Sequence, residues 1–421
     1  MGERPLAPLI AARGLQAVFE AINQDGDVSW LVGGCVRNTL LGEAVKDIDV
    51  ATQASPQEVI ARAEAAGLRA VPTGLDHGTV TLVHNGEPIE VTTLRKDVET
   101  DGRHAVVVFT RDIAEDAARR DFTMNALYAD ETGAITDPVG GLDDLAARRV
   151  RFIGQPADRI AEDYLRILRF FRFYGWYGHG APDRFAVRAI VTNKGFLTGL
   201  SAERVWAELK KILAAPNVTR ALLWMRQSGV YQVVLPESGD MDGFARFMLV
   251  EDATELAPDP LLRLMALLSF QGPNRIKALA TRLKLSNAER DRLVDARAVY
   301  EALKTDELST QAERRLALYE HGVQPVRDVT ILQTAHALPV DPERADEFRL
   351  SDRVRDLLAL SDGYDRPSLP VSGDDLLQRG IPSGPQVGAS LQLLEAAWKA
   401  SDFTLSRDDL LAVLKNQNQL H

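Results

Sequence analysis

Two aspartates one residue apart, Asp47 and Asp49, sit in the alternating run Lys46-Asp47-Ile48-Asp49-Val50. Strand side chains alternate between faces, so the two carboxylates share one face while Ile48 and Val50 point to a core. Paired hard oxygens suit Mg²⁺, which is commonly held by one or two carboxylates plus substrate phosphates. Just upstream, Leu31-Val32-Gly33-Gly34-Cys35-Val36-Arg37-Asn38 leads an apolar run into two glycines, a tight turn where backbone can approach a ligand closely. Arg37, three residues beyond Gly34, is placed to clamp a triphosphate. An isolated Asp-x-Asp is common in surface turns, whereas glycine pair, arginine and aspartate pair in this order form a far more specific set. Together they point to metal-dependent phosphoryl or nucleotidyl transfer.

Local patterns supply the elements that must hold these groups. Apolar Leu15, Val18, Phe19 and Ile22 predict an amphipathic helix over 9–23, and a short helix follows the glycines over 36–41. Ser55-Pro56-Gln57-Glu58 has the residues of a capped helix start, and Gly67 ends that helix. Period-two runs at 77–83 and 89–94, joined by Asn85-Gly86, predict a hairpin beside the Asp-x-Asp strand. Glu90 has the parity to face the metal pair; it is either a third acidic group or an exposed strand residue. His77 reads as structural. The stretch 96–107, with Asp101-Gly102-Arg103, reads as a mobile loop near the site. Arg119-Arg120 is expected at a helix start, where a double arginine alone describes a solvated face.

A further helix is expected over 162–173, with Asp163 and Arg166 three apart on one face. Aspartate accepts from an exocyclic amino group and arginine donates to a ring nitrogen or carbonyl. Cytosine and adenine both show an amino group beside an acceptor, and uracil and guanine reverse it, so such a pair can select C and A. On spacing alone a surface salt bridge is the simpler account.

Composition narrows the function classes. The 421 residues suffice for two to four domains, and 45% apolar with 26% charged residues is ordinary for a globular chain. No run of apolar residues is long enough to span a membrane, and the first residues lack the apolar stretch of a secretory signal. The single cysteine, Cys35, fits a reducing cytoplasm and reads as a packing residue. A net charge of −11 argues against indiscriminate coating of nucleic acid. Residues 145–211 nevertheless hold 13 Lys and Arg against 6 Asp and Glu, a candidate phosphate-facing surface.

The Gly-Gly-x-Val-Arg and Asp-x-Asp segments resemble those of the class II tRNA CCA-adding enzymes and bacterial poly(A) polymerases, with Asn38 where that family usually has Asp. The resemblance continues in Gly74-Leu75-Asp76-His77-Gly78-Thr79, in Glu90 ahead of Thr92-Thr93-Leu94-Arg95, and in Arg119-Arg120-Asp121-Phe122-Thr123-Met124-Asn125-Ala126. Asp137-Pro138-Val139-Gly140-Gly141, Glu162-Asp163-Tyr164-Leu165-Arg166 and Glu203-Arg204 with Glu208 extend it. It covers Leu31 to about Glu208 and again Leu369 to Phe403, and is loose between. It implies an α+β fold: a small mixed-sheet nucleotidyltransferase head at 1–150, then an elongated all-helical part. That part would comprise a nucleotide-selecting neck at 151–215, a body at 216–365 and a tRNA-binding tail at 366–421.

The same resemblance implies addition of CCA to tRNA 3′ ends from CTP and ATP, with Mg²⁺ on Asp47 and Asp49. Gly33, Gly34, Arg37, Arg120, Arg169 and Arg172 would bind the nucleotide, Asp121 and Asn125 its sugar region. Asp163 and Arg166 would choose the base, Glu162 would orient Arg166, and the tail would grip the tRNA elbow. Arg204 is expected to pair with a glutamate. No basic Gly-Arg/Lys-Arg-Phe signature of poly(A) polymerases and no His-Asp metal pair of a phosphohydrolase domain stands in the sequence. A poly(A) polymerase or a partial CC- or A-adding enzyme is the alternative within this chemistry, and a catalytically silent RNA-binding relative the alternative outside it.

Overall fold

A computed structural model describes residues 4–101, 104–239, 241–268, 273–338 and 350–418. The chain forms two compact units, residues 1–236 and 237–421.

The first unit opens with two short helices, α1 (Ala7–Ala12) and α2 (Gln16–Ile22), instead of the single helix expected. Gly14 between them has φ +62°, which no helix interior accommodates. Next come β1 (Ser29–Val32), α3 (Gly34–Leu41), β2 (Ile48–Thr52), α4 (Pro56–Ala65) and β3 (Arg69–Gly74). Ser55 and Glu58 form the expected capping box on α4. β4 (Thr79–His84) and β5 (Glu87–Thr93) form the expected hairpin, with Asn85 and Gly86 both at positive φ.

The stretch expected to be a loop is instead a second hairpin. β6 (Arg95–Asp101) and β7 (His104–Phe109) make a two-stranded sheet of their own; Gly102 and Arg103 at its tip lie outside the described residues. Read by composition, the polar residues of Arg95–Asp101 with Gly102 suggest a loop, yet the backbone pairs this stretch with the apolar His104–Phe109. α5 (Ile113–Ala118) follows and ends at Arg119, so the double arginine closes a helix, where cations suit the dipole. After β8 (Tyr128–Ala129) and β9 (Ile135–Thr136) the main sheet is complete, in the order β3-β4-β5-β2-β1-β8-β9. Among the described residues its one parallel pairing is β2 with β5, and the others are antiparallel.

α6 (Gly141–Ala146) packs against the turn at Thr123–Asn125. Asp137 accepts hydrogen bonds from the amides of Gly141 and Leu142, and a Cβ on Gly141 would collide with the Thr123 carbonyl. Then come α7 (Pro156–Glu162), α8 (Arg166–Tyr177), α9 (Arg184–Asn193) and α10 (Ala202–Leu213). The helix expected across 162–173 is therefore broken: Asp163 is extended, with φ −156° and ψ 106°. Phe122 is fully buried against Phe152 and Phe173, at 4.8 and 5.0 Å between ring centroids, and so fastens the Arg-Arg-Asp-Phe segment to α8.

The second unit is helical, with no strand among its described residues. Its core includes Tyr319, Leu376, Leu394, Trp398 and Leu410. Arg263 and Glu251, 2% and 5% exposed, form a buried ion pair at 2.6 Å. A Pro/Gly-rich connection, Gly380-Ile381-Pro382-Ser383-Gly384, leads into the helix Pro385–Ala400, with Gly384 at φ +116°.

Candidate active site

Parallel register places Glu90 directly beside Asp49, and both side chains share a face. Asp47 lies exposed immediately before β2, Asp49 is half-buried and Glu90 is exposed. Burial, then the neighbouring Glu90, push the Asp49 carboxyl above its ordinary range; Arg120 opposes this and Asp47 adds to it. Among the described residues no three His, Cys, Asp or Glu side chains converge as a preformed metal cluster. The donor set is all oxygen and crowded with like charge, which a hard divalent cation relieves, with substrate phosphates free to complete its shell.

The glycine turn faces this edge. Gly33 has φ +75°, and α3 starts at Gly34. Cys35, one residue on, is buried with its Sγ 3.3 Å from the Val32 carbonyl, and burial pushes its thiol up to about 11. Arg37 is only 7% exposed. Its guanidinium donates to Asn125 Oδ1 at 2.5 Å, to Asn38 Oδ1 at 2.9 Å and to the Tyr177 hydroxyl at 2.8 Å, and lies 4.2 Å from the Tyr177 ring centroid. Asn38 in turn donates through Nδ2 to the Ala44 carbonyl at 3.0 Å, a bond an aspartate could not make.

The segment after α5 supplies the opposite wall. Asp121 accepts from Arg169 Nε at 2.8 Å, from Asn125 Nδ2 at 3.0 Å and from the Phe122 amide at 2.8 Å. Burial pushes its carboxyl up, but Arg169 and these donors outweigh it and hold the carboxyl below the ordinary range. Arg120 donates through Nε and Nη2 to Asp116 Oδ2 at 3.1 and 3.0 Å.

At the break before α8, Asp163 Oδ1 accepts from the Leu165 amide at 3.1 Å and Oδ2 from Arg204 Nη2 at 2.6 Å. Arg204 thus pairs with this aspartate and not with a glutamate. Arg166 bonds Glu162 and the Arg159 carbonyl, the latter at 2.8 Å. Asp163 and Arg166 are held separately and form no mutual salt bridge, unlike a surface i,i+3 pair.

A cleft of about 480 Å³ joins these parts, lined by Gly33, Gly34 and Asp49, by Arg120, Asp121 and Asn125, and by Asp163, Arg166 and Arg169. Arg172 lines a second cleft with Asp47, sharing Arg37 and Asp49 with the first, and bonds Glu208 at 3.0 Å. His77 is exposed in the turn before β4, and Ser201 precedes α10 without a side-chain capping bond. Sequence reasoning missed Asp116, Tyr128 and Tyr177. Asp116 stands four residues before Arg120, a spacing that carries a signal only once both are known to be on one wall.

The model described as "Poly A polymerase head domain" matches residues 29–151, and that described as "Probable RNA and SrmB- binding site of polymerase A" matches 185–241. The mitochondrial CCA tRNA nucleotidyltransferase 1 of Mus musculus is 35% identical over 407 residues, 96% of this chain and 90% of the relative. The chain belongs to the CCA tRNA nucleotidyltransferase family. Another relative, the CCA-adding enzyme of Streptococcus uberis, is 32% identical over 90% of each chain. The crystal structure of the Bacillus stearothermophilus CCA-adding enzyme in complex with CTP is similar over 100% of this chain and 99% of that one, with a TM-score of 0.76 at 28% identity. Likeness to the CCA tRNA nucleotidyltransferase family therefore runs through the helical region where the motifs alone are loose. As expected of that family, a mixed-sheet head precedes a helical remainder, and no helix among the described residues is long and apolar enough to cross a membrane.

Proposed function

We propose that the chain adds C, C and A to tRNA 3′ ends from CTP and ATP. The terminal 3′-hydroxyl attacks the α-phosphate in line and pyrophosphate leaves. The observation that carries this reading is one cleft holding Asp49 with the glycine turn, an arginine wall, and the separately anchored Asp163 and Arg166. Asp47 and Asp49 would hold Mg²⁺, which when bound supplies charge neutralisation at the reacting phosphates. Glu90 adds negative charge beside that pair. Arg37, Arg120, Arg169 and Arg172 hold the triphosphate, with Gly33 and Gly34 giving it close backbone approach. Asp121 and Asn125 set the sugar region by fixing Arg169 and Arg37. Asp163 accepts from the exocyclic amino group of C or A and Arg166 donates to the adjacent acceptor.

In this reading residues 1–150 carry catalysis, 151–215 select the nucleotide, 216–365 form a body, and 366–421 grip the tRNA elbow. A reducing cytoplasm suits the lone buried thiol of Cys35. The test is incubation with Mg²⁺ and tRNA transcripts ending before CCA, after C and after CC, each nucleotide supplied singly and together. Growth by three nucleotides only with CTP and ATP together, lost in Asp47→Ala, is expected. An unlimited A tail indicates a poly(A) polymerase, a stop at one stage a partial adder, and no incorporation refutes the enzyme reading.

A further inference from the structure

Arg120 is half-buried in the cleft wall, and how its guanidinium is oriented decides which of its N–H groups a ligand can reach. Nε and Nη2 both point to Asp116 Oδ2, and Nε also lies 3.0 Å from the Tyr128 hydroxyl. That hydroxyl itself donates to Asp116 Oδ2 at 2.7 Å. The remaining nitrogen, Nη1, makes no hydrogen bond among the described residues and sits beside Gly33, 3.7 Å from where a Cβ on that glycine would lie. The guanidinium fork is therefore fixed along one edge and open along the other, toward the glycine turn.

The anchor is unusually complete. Asp116 is 1% exposed, and its second oxygen, Oδ1, accepts from Arg119 Nε at 2.8 Å and from the Arg95 amide at 3.3 Å. Burial pushes this carboxyl up, but Arg120 and Arg119, with the Tyr128 hydroxyl, hold it below the ordinary carboxylate range, so it stays ionised. Arg119 Nε also donates to the Arg95 carbonyl at 3.1 Å, tying the same cluster to the start of β6.

We propose that Asp116 is a positioning residue for nucleotide addition: by holding the Nε–Nη2 edge of Arg120 it presents Nη1 to the triphosphate at the glycine turn. Asp116 touches no substrate and acts through Arg120. This rests on the nucleotidyl-transfer reading above, so the wild-type protein is the control that separates the two.

Asp116→Asn keeps the shape and one acceptor but turns an amide N–H₂ toward donors. Steady-state incorporation of CTP is compared in wild type, Asp116→Asn, Arg120→Ala and the double variant, with thermal unfolding measured for each. Tyr128→Phe serves as a milder second variant. Asp116→Asn is expected to raise KM for CTP at least 10-fold. In the Arg120→Ala background the same change is expected to alter KM less than 2-fold, because the group it positions is gone. Tyr128→Phe is expected to raise KM by a few-fold in the Arg120 background alone. An equal KM change in both backgrounds, or an unchanged KM in folded Asp116→Asn protein, overturns the proposal. If wild type incorporates nothing, the functional reading itself fails.

Discussion

Arg204 offers a sharp test of base selection, because it touches the selecting group without being expected to read the base. Asp163 stands where the chain leaves α7, in extended conformation, and two bonds hold its carboxylate: the Leu165 amide on Oδ1 and Arg204 on Oδ2. Arg204→Ala leaves Oδ2 free to rotate, so the acceptor meant for an amino group loses its aim. A charge-assisted bond contributes roughly 1.5–3 kcal/mol. Here the two side chains are 28% and 23% exposed, so solvent screening brings the effect below that range, to about 1–1.5 kcal/mol. That corresponds to a roughly 5- to 12-fold loss in the preference for CTP over UTP. The assay is kcat/KM for each nucleotide on a tRNA transcript lacking CCA, with thermal unfolding as the check on folding. If CTP and UTP incorporation fall by the same factor in folded protein, Arg204 does not aim Asp163.

Three further outcomes are expected. Glu90→Gln removes a like charge beside Asp49, whose folded-state pKa stands raised. Ionising Asp49 therefore costs stability as pH rises through that value, so the variant should unfold at a higher temperature at neutral pH without metal, and its acid limb of activity should move to lower pH; unmoved limb and melting curve would count against this. Gly33→Ala forces a Cβ onto φ +75°, at a cost of about 1–2 kcal/mol by thermal unfolding, with weakened CTP binding by titration. Glu251→Gln leaves buried Arg263 facing an amide, a loss of about 3 kcal/mol or roughly 6–12 °C in the unfolding of the second unit. Glu251→Leu with Arg263→Met should recover most of it, and failure of that recovery would point to a wider network.

What the sequence disclosed follows from how local each cause is. Strand alternation around Asp49 and Glu90 gave their shared face correctly, because parity depends only on the backbone period. Asn85-Gly86 and Ser55-Pro56-Gln57-Glu58 announced a turn and a cap whose chemistry is contained in a few residues. The failures are tertiary. Asp163 breaks a stretch with good helix composition because its carboxylate is held by the Leu165 amide and by Arg204, 41 positions away. Gly14 divides the first helix, a single left-handed residue inside an otherwise regular apolar pattern. The β6–β7 ribbon stands apart from the main sheet, and Asp116 is silent in the sequence because Arg95 and Tyr128, which join Arg119 and Arg120 on its carboxylate, reach it only after folding.

The turn that carries Cys35 has a practical consequence for watching this molecule at work. The chain contains one thiol, it is sealed beneath the glycine pair, and burial keeps it protonated far above neutral pH. Thiol-directed dyes and spin labels react with the exposed thiolate, so the native side chain will stay dark to them while the fold is intact. A cysteine introduced at any exposed position becomes, in effect, a unique chemical address. Distances and motions can then be followed by fluorescence or electron spin resonance without first replacing Cys35, and its sudden labelling reports unfolding of the nucleotide-facing turn.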